Sequence, residues 1–223
     1  MCRSYQSIIY WCKEIGTLKQ KEKLSLIQDT IKIYDESIKE MEIPKELSFL
    51  EGEERKQYLE DMVICQQFAK ESREIMAEKI CKFLNIDIKK CFVKFHTVHN
   101  YIDIDSNIVR KGAISAKKNE VCLIPMNMRD GSLLCIGKGN KDWNCSAPHG
   151  AGRLMGRKEA KEKLSIHEFE KEMESIYTTT ANEMTIDEAP MAYKPMEEIV
   201  KNISDTVEII DILKPIYNFK SDN

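Results

Sequence analysis

The sequence predicts an α+β protein, with a helical N-terminal part followed by a β-rich core that carries glycine-rich loops. Three observations predict it. Apolar residues recur at helical spacing as far as residue 84 and alternate from Cys91 onward. Seven of the nine glycines fall within residues 91–157. Hydrophobic residues make up 42% of the 223, enough to fill a core.

Leu24, Ile27, Ile31, Tyr34, Ile38 and Met41 are spaced 3-4-3-4-3, one apolar stripe on a helix that Pro44 ends. A second helix opens near Glu53 and runs to about Leu84, with Met62, Cys65, Ala69, Met76, Ile80 and Phe83 on its buried face. Both stripes read as packing surfaces. Phe92-Val93-Lys94-Phe95 then reads as a strand running into His96-Thr97-Val98-His99-Asn100. Ile108 to Ser115 and Val121 to Met128 are strands joined by a polar turn at Lys117 to Asn119. Asp130-Gly131 is a tight turn into a strand from Ser132 to Ile136. A short helix follows Arg153, and Ser165-x-x-Glu168 is a capping box for a helix to about Met173. Pro195 opens the first turn of a helix to about Ile203, and Val207 to Leu213 is a strand. The organisation is a helical segment over residues 1–44 and a second part over residues 45–223.

Composition excludes several classes. No apolar run approaches the roughly 20 residues of a bilayer-crossing helix, and the start is a poor signal peptide, so the chain is expected in the cytoplasm without a membrane partner. Eight cysteines form no C-x-x-C pair and read as reduced thiols, mostly buried as small apolar groups. A formal net charge of -3 argues against a uniformly basic nucleic-acid binder. The average hides a polarity, because residues 91–157 hold ten Lys and Arg against five Asp and Glu, a net +5, while the rest carries -8. A basic, glycine-rich stretch inside an acidic chain fits the approach of a phosphate or polyanion, or a loop-rich β region with scattered surface lysines.

Of four histidines, His167 sits in the capping-box helix as a surface residue. His96 and His99 close a strand, and residues three apart on a strand face opposite sides, so one ligand and one structural histidine is the natural split. His149 lies between Pro148 and Gly150-Ala151-Gly152, with Arg153 beyond. Small residues there let a phosphate reach backbone N–H groups, and an arginine fork matches phosphate oxygens. An imidazole at such a site can act as acid, base or nucleophile. Gly150-x-Gly152-x-x-x-Gly156 also resembles a loosened dinucleotide fingerprint, but that motif needs a buried strand before it and Lys141 to Pro148 does not read as one.

Several segments resemble the RtcB family of RNA-splicing ligases. They are IPMNMRDGSLLCIGKGNKDWNCSAPHGAGRLMGR at 124–157, VHN at 98–100, RKGAIS at 110–115, DEAPMAYK at 187–194, NFK at 218–220, and the helix YLEDMVICQQFAKESREI at 58–75. The resemblance implies the C-terminal half of that fold. It implies a GTP- and manganese (Mn2+)-dependent ligase that joins an RNA 3′-phosphate or 2′,3′-cyclic phosphate to a 5′-hydroxyl RNA end through a guanylylated histidine. On that resemblance His149 is the nucleophile and Gly150, Ala151 and Gly152 cradle the guanylate. His99 is a manganese ligand with Asn100 beside it at the nucleotide. Pro125, Met126, Asn127, Met128 and Ser132 line the guanosine pocket, and Tyr193 and Lys220 reach the nucleotide from the C-terminal part. The family's Asp-x-Cys, Asn-His-Phe-x-x-Glu and His-Ser-Gly-Ser-Arg elements, which provide most manganese ligands, are not in this sequence. The family's usual Met-Ser-Arg is Met155-Gly156-Arg157 here, which removes a hydroxyl. The chain is therefore expected to be such a ligase in fragmentary form, or one part of a split enzyme whose other half a separate chain supplies. The alternatives are a non-catalytic or split-subunit remnant that binds guanine nucleotide or RNA, and an unrelated α+β domain with a phosphate-binding loop.

Overall fold

Helix α1 (Gly52–Phe83) opens the part of the chain that a computed structural model describes, residues 49–91 and 93–220. The chain divides into two units, Met1–Cys91 and Phe92–Asn223. The helix expected over Leu24 to Met41 lies outside the described residues. In the first unit α1 has the predicted limits, but its stripe is not a buried face. Met76, Ile80 and Phe83 are exposed, and no residue of the helix is buried. The reason lies in the sequence, because Arg73, Glu78 and Lys82 interleave the stripe and leave the helix polar nearly all round.

The second unit holds eight strands among the described residues. These are β1 (His99–Asp103), β2 (Ile108–Ser115), β3 (Val121–Pro125), β4 (Ser132–Gly137), β5 (Ser146–Pro148), β6 (Tyr177–Thr178), β7 (Val207–Leu213) and β8 (Tyr217–Asn218). They form antiparallel sheets ordered β1-β2-β5 and β3-β4-β7, and a parallel pair β6-β8. Three short helices accompany them, α2 (Arg157–Lys163), α3 (Ile166–Glu172) and α4 (Met196–Asn202). The predicted α+β class holds.

Alternation explains the core. Strand β4 buries Leu133, Cys135 and Gly137, and β3 buries Cys122 and Ile124. These meet Ile114 of β2, Ala147 of β5, Val207 of β7, and Ile199 and Ile203 at α4 in one cluster. A smaller cluster forms where Met128 meets Phe169 and Met173. The turn between β3 and β4 needs Gly131. Its φ is +83°, and a Cβ there would stand 2.1 Å from the Leu213 carbonyl oxygen.

Four expectations are corrected. Residues 93–98 are not a strand; the β1 ladder begins at His99 opposite Ile114, near the end of β2, and Thr97 ahead of it accepts the Leu123 N–H of β3 on its side-chain hydroxyl instead of through a backbone ladder. Ser165 is the N-cap of α3, but its side chain makes no capping hydrogen bond. Only Cys122 and Cys135 are buried among the six free thiols described. Burial raises them to about 12 and about 11, while Cys91 is exposed. A three-residue strand, β5, does end at Pro148. No helix opens until Arg157, so the glycine run still departs from a dinucleotide fingerprint.

Leu133→Ala is expected to lower stability by about 2–5 kcal/mol, read from urea unfolding monitored by circular dichroism. Strand β7 pairs on one side only, with β4, and leaves Ile210, Ile212 and Leu213 exposed, with Ile216 beyond. An apolar free edge of this kind is expected to give concentration-dependent association by light scattering, reduced in Ile212→Lys.

Candidate active site

The two histidines singled out in the sequence meet. His99 opens β1, His149 follows β5, and their rings stack with centroids 5.0 Å apart and planes 21° apart. An irregular register brings this about. His99 pairs with Ile114 while Tyr101 pairs with Arg110, so Asn100 alone stands opposite a bulged stretch of β2. Asn100 (φ +55°) and Gly112 (φ +66°) both take left-handed backbone there. At Gly112 the backbone angle, not space, demands glycine, since a Cβ would be 3.7 Å from His149 Nδ1.

The Gly112 peptide links both segments. Its N–H donates to Asn100 Oδ1 at 2.7 Å, and its carbonyl lies 2.7 Å from His149 Nδ1. A carbonyl oxygen only accepts, so the proton of the neutral imidazole resides on Nδ1 and the lone pair on Nε2. Desolvation, then His149 and Lys111, hold His99 below its ordinary value, so its ring is neutral at pH 7. His96 lies ahead of β1, exposed, and His167 is exposed on α3.

A cavity of roughly 830 Å³ gathers segments far apart in the chain. Pro125, Met126, Asn127, Met128 and Ser132 line it, together with His149, Gly150, Ala151 and Gly152 and with Tyr193 and Lys220. His99 and Asn100 are not in its wall; His99 stacks on His149, and Asn100 accepts the Gly112 N–H. Within the wall, Asn127 serves the turn, with its side-chain oxygen accepting from Arg129 N and Asp130 N. The Met126 and Met128 side chains are buried. The Pro125 carbonyl accepts from Ala151 N at 3.1 Å and fixes the histidine loop against β3. Among the described residues, the N–H groups of Gly150 and Gly152 donate to no protein acceptor.

The largest omission from the sequence reading is Glu188. One oxygen accepts from the Tyr193 hydroxyl at 2.6 Å and from Lys220 Nζ at 3.3 Å, and the other pairs with Arg157 at 2.8 Å and Arg153 at 3.5 Å. Burial alone would raise this carboxyl, but Tyr193, Lys220 and Arg157 outweigh it and hold it below its ordinary 4.5. Burial, then Glu188, pushes Tyr193 up to about 12. Asp187 is buried and accepts from Arg157, and its carbonyl accepts from Arg153. Acidic residues in DEAPMAYK thus hold the cationic wall in place, a role that only their neighbours in space reveal. Lys220 is itself placed from the C-terminal end, where its N–H donates to Thr180 Oγ1 and Asn218 Nδ2 donates to the Met128 carbonyl. Gly156 caps α2 with no side-chain hydrogen bond, the consequence of the missing hydroxyl. No three His, Cys, Asp or Glu side chains come together among the described residues. No helix among them is long and apolar enough to cross a membrane.

Fold and site together define a class, an α+β protein in which a histidine of fixed tautomer borders a glycine-lined cavity walled by cations. Residues 21–221 match the family model of the tRNA-splicing ligase RtcB, and the chain belongs to the RtcB family. It is 32% identical over 183 residues to the RNA-splicing ligase RtcB of Escherichia coli K12, an alignment that covers 75% of this chain and 45% of the relative. The tRNA-splicing ligase RtcB of Pyrobaculum aerophilum is 27% identical over 179 residues, covering 65% of this chain and 37% of the relative. The tRNA-splicing ligase RtcB of Aeropyrum pernix is 37% identical over 84 residues. The chain thus spans about half or less of these relatives' length.

The Glu188 network generates a pH prediction. A carboxylate held below its ordinary value stabilises the fold fully above pH 4.5, and that contribution is lost as pH falls through the lowered value. Wild type is expected to resist urea better than Glu188→Gln at pH 7, with the gap closing as the pH drops below about 4.5.

Proposed function

We propose that this chain carries the nucleotidyl-transfer half of a GTP-dependent RNA ligase. It would act on RNA 3′-phosphate or 2′,3′-cyclic phosphate ends and 5′-hydroxyl ends. The observation that carries the reading is the convergence of His149 with Ser132, Gly150 to Gly152, Tyr193 and Lys220 on one cavity. Membership of the RtcB family supports the same reading. Residues 45–223 form the ligase-like part in this proposal.

The chemistry follows from the tautomer. His149 Nε2, holding its lone pair, attacks the α-phosphorus of GTP; the N–P bond forms and the bond to the β-phosphate oxygen breaks, releasing pyrophosphate. The ring becomes cationic, and its Nδ1–H, already bound to the Gly112 carbonyl, spreads that charge. A 2′,3′-cyclic end is first opened by water to the 3′-phosphate. An oxygen of the 3′-phosphate attacks the guanylyl phosphorus, the N–P bond breaks and the imidazole is freed. The 5′-hydroxyl then attacks the activated 3′-phosphate, its proton passes to solvent, and GMP leaves as the new phosphodiester forms. Free N–H groups at Gly150 and Gly152 suit phosphate oxygens, and Arg153, Arg157 and Lys220 balance the charge.

Manganese does not fit the described residues alone. His99 offers a single neutral imidazole, and one donor does not make a catalytic metal centre. The remaining donors belong, in this proposal, to a separate chain that supplies the other half, and the steps above use only this chain's groups.

The test is covalent labelling. The full chain, alone and mixed with the N-terminal part of the Escherichia coli relative, is incubated with α-32P-GTP and manganese. Acid-labile, alkali-stable label is expected on wild type with the added half and is expected to vanish in His149→Ala. Nucleotide binding without covalent transfer under both conditions would instead make the chain a non-catalytic binder of guanine nucleotide or RNA.

A further inference from the structure

The β1-β2-β5 sheet has an unusual division of labour. Each outer strand carries a site histidine, since His99 opens β1 and His149 follows β5, and among the described residues each pairs with β2 alone. One side chain of the central strand, Arg110, only 1% exposed, bonds to both outer strands. Its Nη1 donates to Asp103 Oδ2 at 2.9 Å and to the Tyr101 hydroxyl at 3.1 Å, both on β1. Its Nε donates to Ser146 Oγ of β5 at 3.0 Å, and its Nη2 reaches the Asn144 carbonyl at 3.4 Å. Asn144 and Cys145 take consecutive left-handed conformations, φ +50° and +47°, in the turn that feeds β5. Such strain persists only where the surroundings over-determine it. Here Arg110, the Ser146 hydroxyl bond to the Asn144 carbonyl, and the Cys145 N–H bond to Asn140 all hold it.

We propose that Arg110 is a positioning residue whose guanidinium locks β1, β5 and the strained turn to β2, so that His99 and His149 are presented to each other in one fixed arrangement. A planar fork with five donors can bond both outer strands at once, and an ammonium cannot. β5 is three residues long, with three residue pairs to β2, so loss of the Ser146 and Asn144 bonds frees it to shift. A shift of that segment moves His149 off the Gly112 carbonyl, because the two lie on different strands. Lys117 also pairs with Asp103 at 3.0 Å, but that pair reaches β1 alone and does not replace the fork that bonds both outer strands.

The inference rests on His149 being the reacting group only for its consequence, and its direct test does not. Full-length chain labelled with 15N-histidine is compared as wild type, Arg110→Lys, and Tyr101→Phe/Ser146→Ala. The double variant keeps the Arg110–Asp103 pair and removes the Tyr101 and Ser146 hydroxyls that Arg110 bonds, together with the Ser146 bond to the Asn144 carbonyl. In wild type, His149 is expected as a single species protonated at Nδ1. In both variants it is expected as a mixture of tautomers in exchange, with near-ultraviolet circular dichroism unchanged. GTP labelling in the presence of the added half is expected to slow by roughly 10- to 100-fold with GTP affinity within about twofold. A wild-type His149 spectrum in both variants would overturn the proposal, as would unchanged labelling rates. A mixed tautomer in the variants, together with no label on wild type, would uphold the positioning role and overturn the ligase reading instead.

Discussion

The site depends on one peptide group. Gly112 receives the His149 ring proton on its carbonyl and gives its own N–H to Asn100, so the imidazole, the bulged segment of β2 and the start of β1 share a single anchor. A carbonyl cannot donate, and this forces the ring's free lone pair to Nε2. Glycine at a left-handed angle is what lets the strand turn that carbonyl toward the ring. The bulge that presents the peptide also lets His99 come under His149 as a stacked, neutral ring.

Charge is balanced in the cavity wall as carefully as shape. Arg153, Arg157 and Lys220 would repel one another if left alone, and Glu188 with Asp187 holds them together without neutralising the cavity for an anion. Tyr193 is drawn into the same set by its short bond to Glu188 and lies 5.0 Å under the Arg153 guanidinium. A similar device, one buried Arg110 paired to Asp103, holds the outer strands of the histidine-bearing sheet to its central strand. There, hydrogen bonds from Lys117, Arg110 and Ser106 overcome the effect of burial and keep the Asp103 carboxyl well below its usual range. Both devices place charged groups where removal of one partner leaves another stranded, so both hold geometry more than they add stability.

The proposed metal requirement meets only part of its donor set here. His99 is a neutral ring stacked on His149, and the described residues bring no second and third ligand to it. The alignment with the Escherichia coli relative covers 45% of that protein's length. The exposed apolar edge at β7, with Ile210, Ile212 and Leu213, belongs to the same picture of a surface that wants a neighbour.

Local pattern alone determined much here. Alternation placed β2, β4 and β7, Asp130-Gly131 placed the turn, and the chemistry of Pro148-His149-Gly150-Ala151-Gly152 marked the loop, because each depends on residues within a few positions of one another. Resemblance then named eleven of the nineteen residues that line the cavity. What the chain pattern could not give was any relation between distant residues. The stacking of His99 on His149 needs a bulge that a regular strand period forbids, and residues 93–98 do not extend β1, whose ladder begins at His99 near the end of β2. The burial expected of α1 failed because amphipathic spacing states only which face would pack, not that a neighbour covers it. Nothing local marks the roles of Glu188 and Arg110; only the meeting of Lys220, Arg157 and Tyr193 on Glu188, and the pairing of β1 and β5 with β2, turned one into the anchor of a cationic wall and the other into a buried clamp.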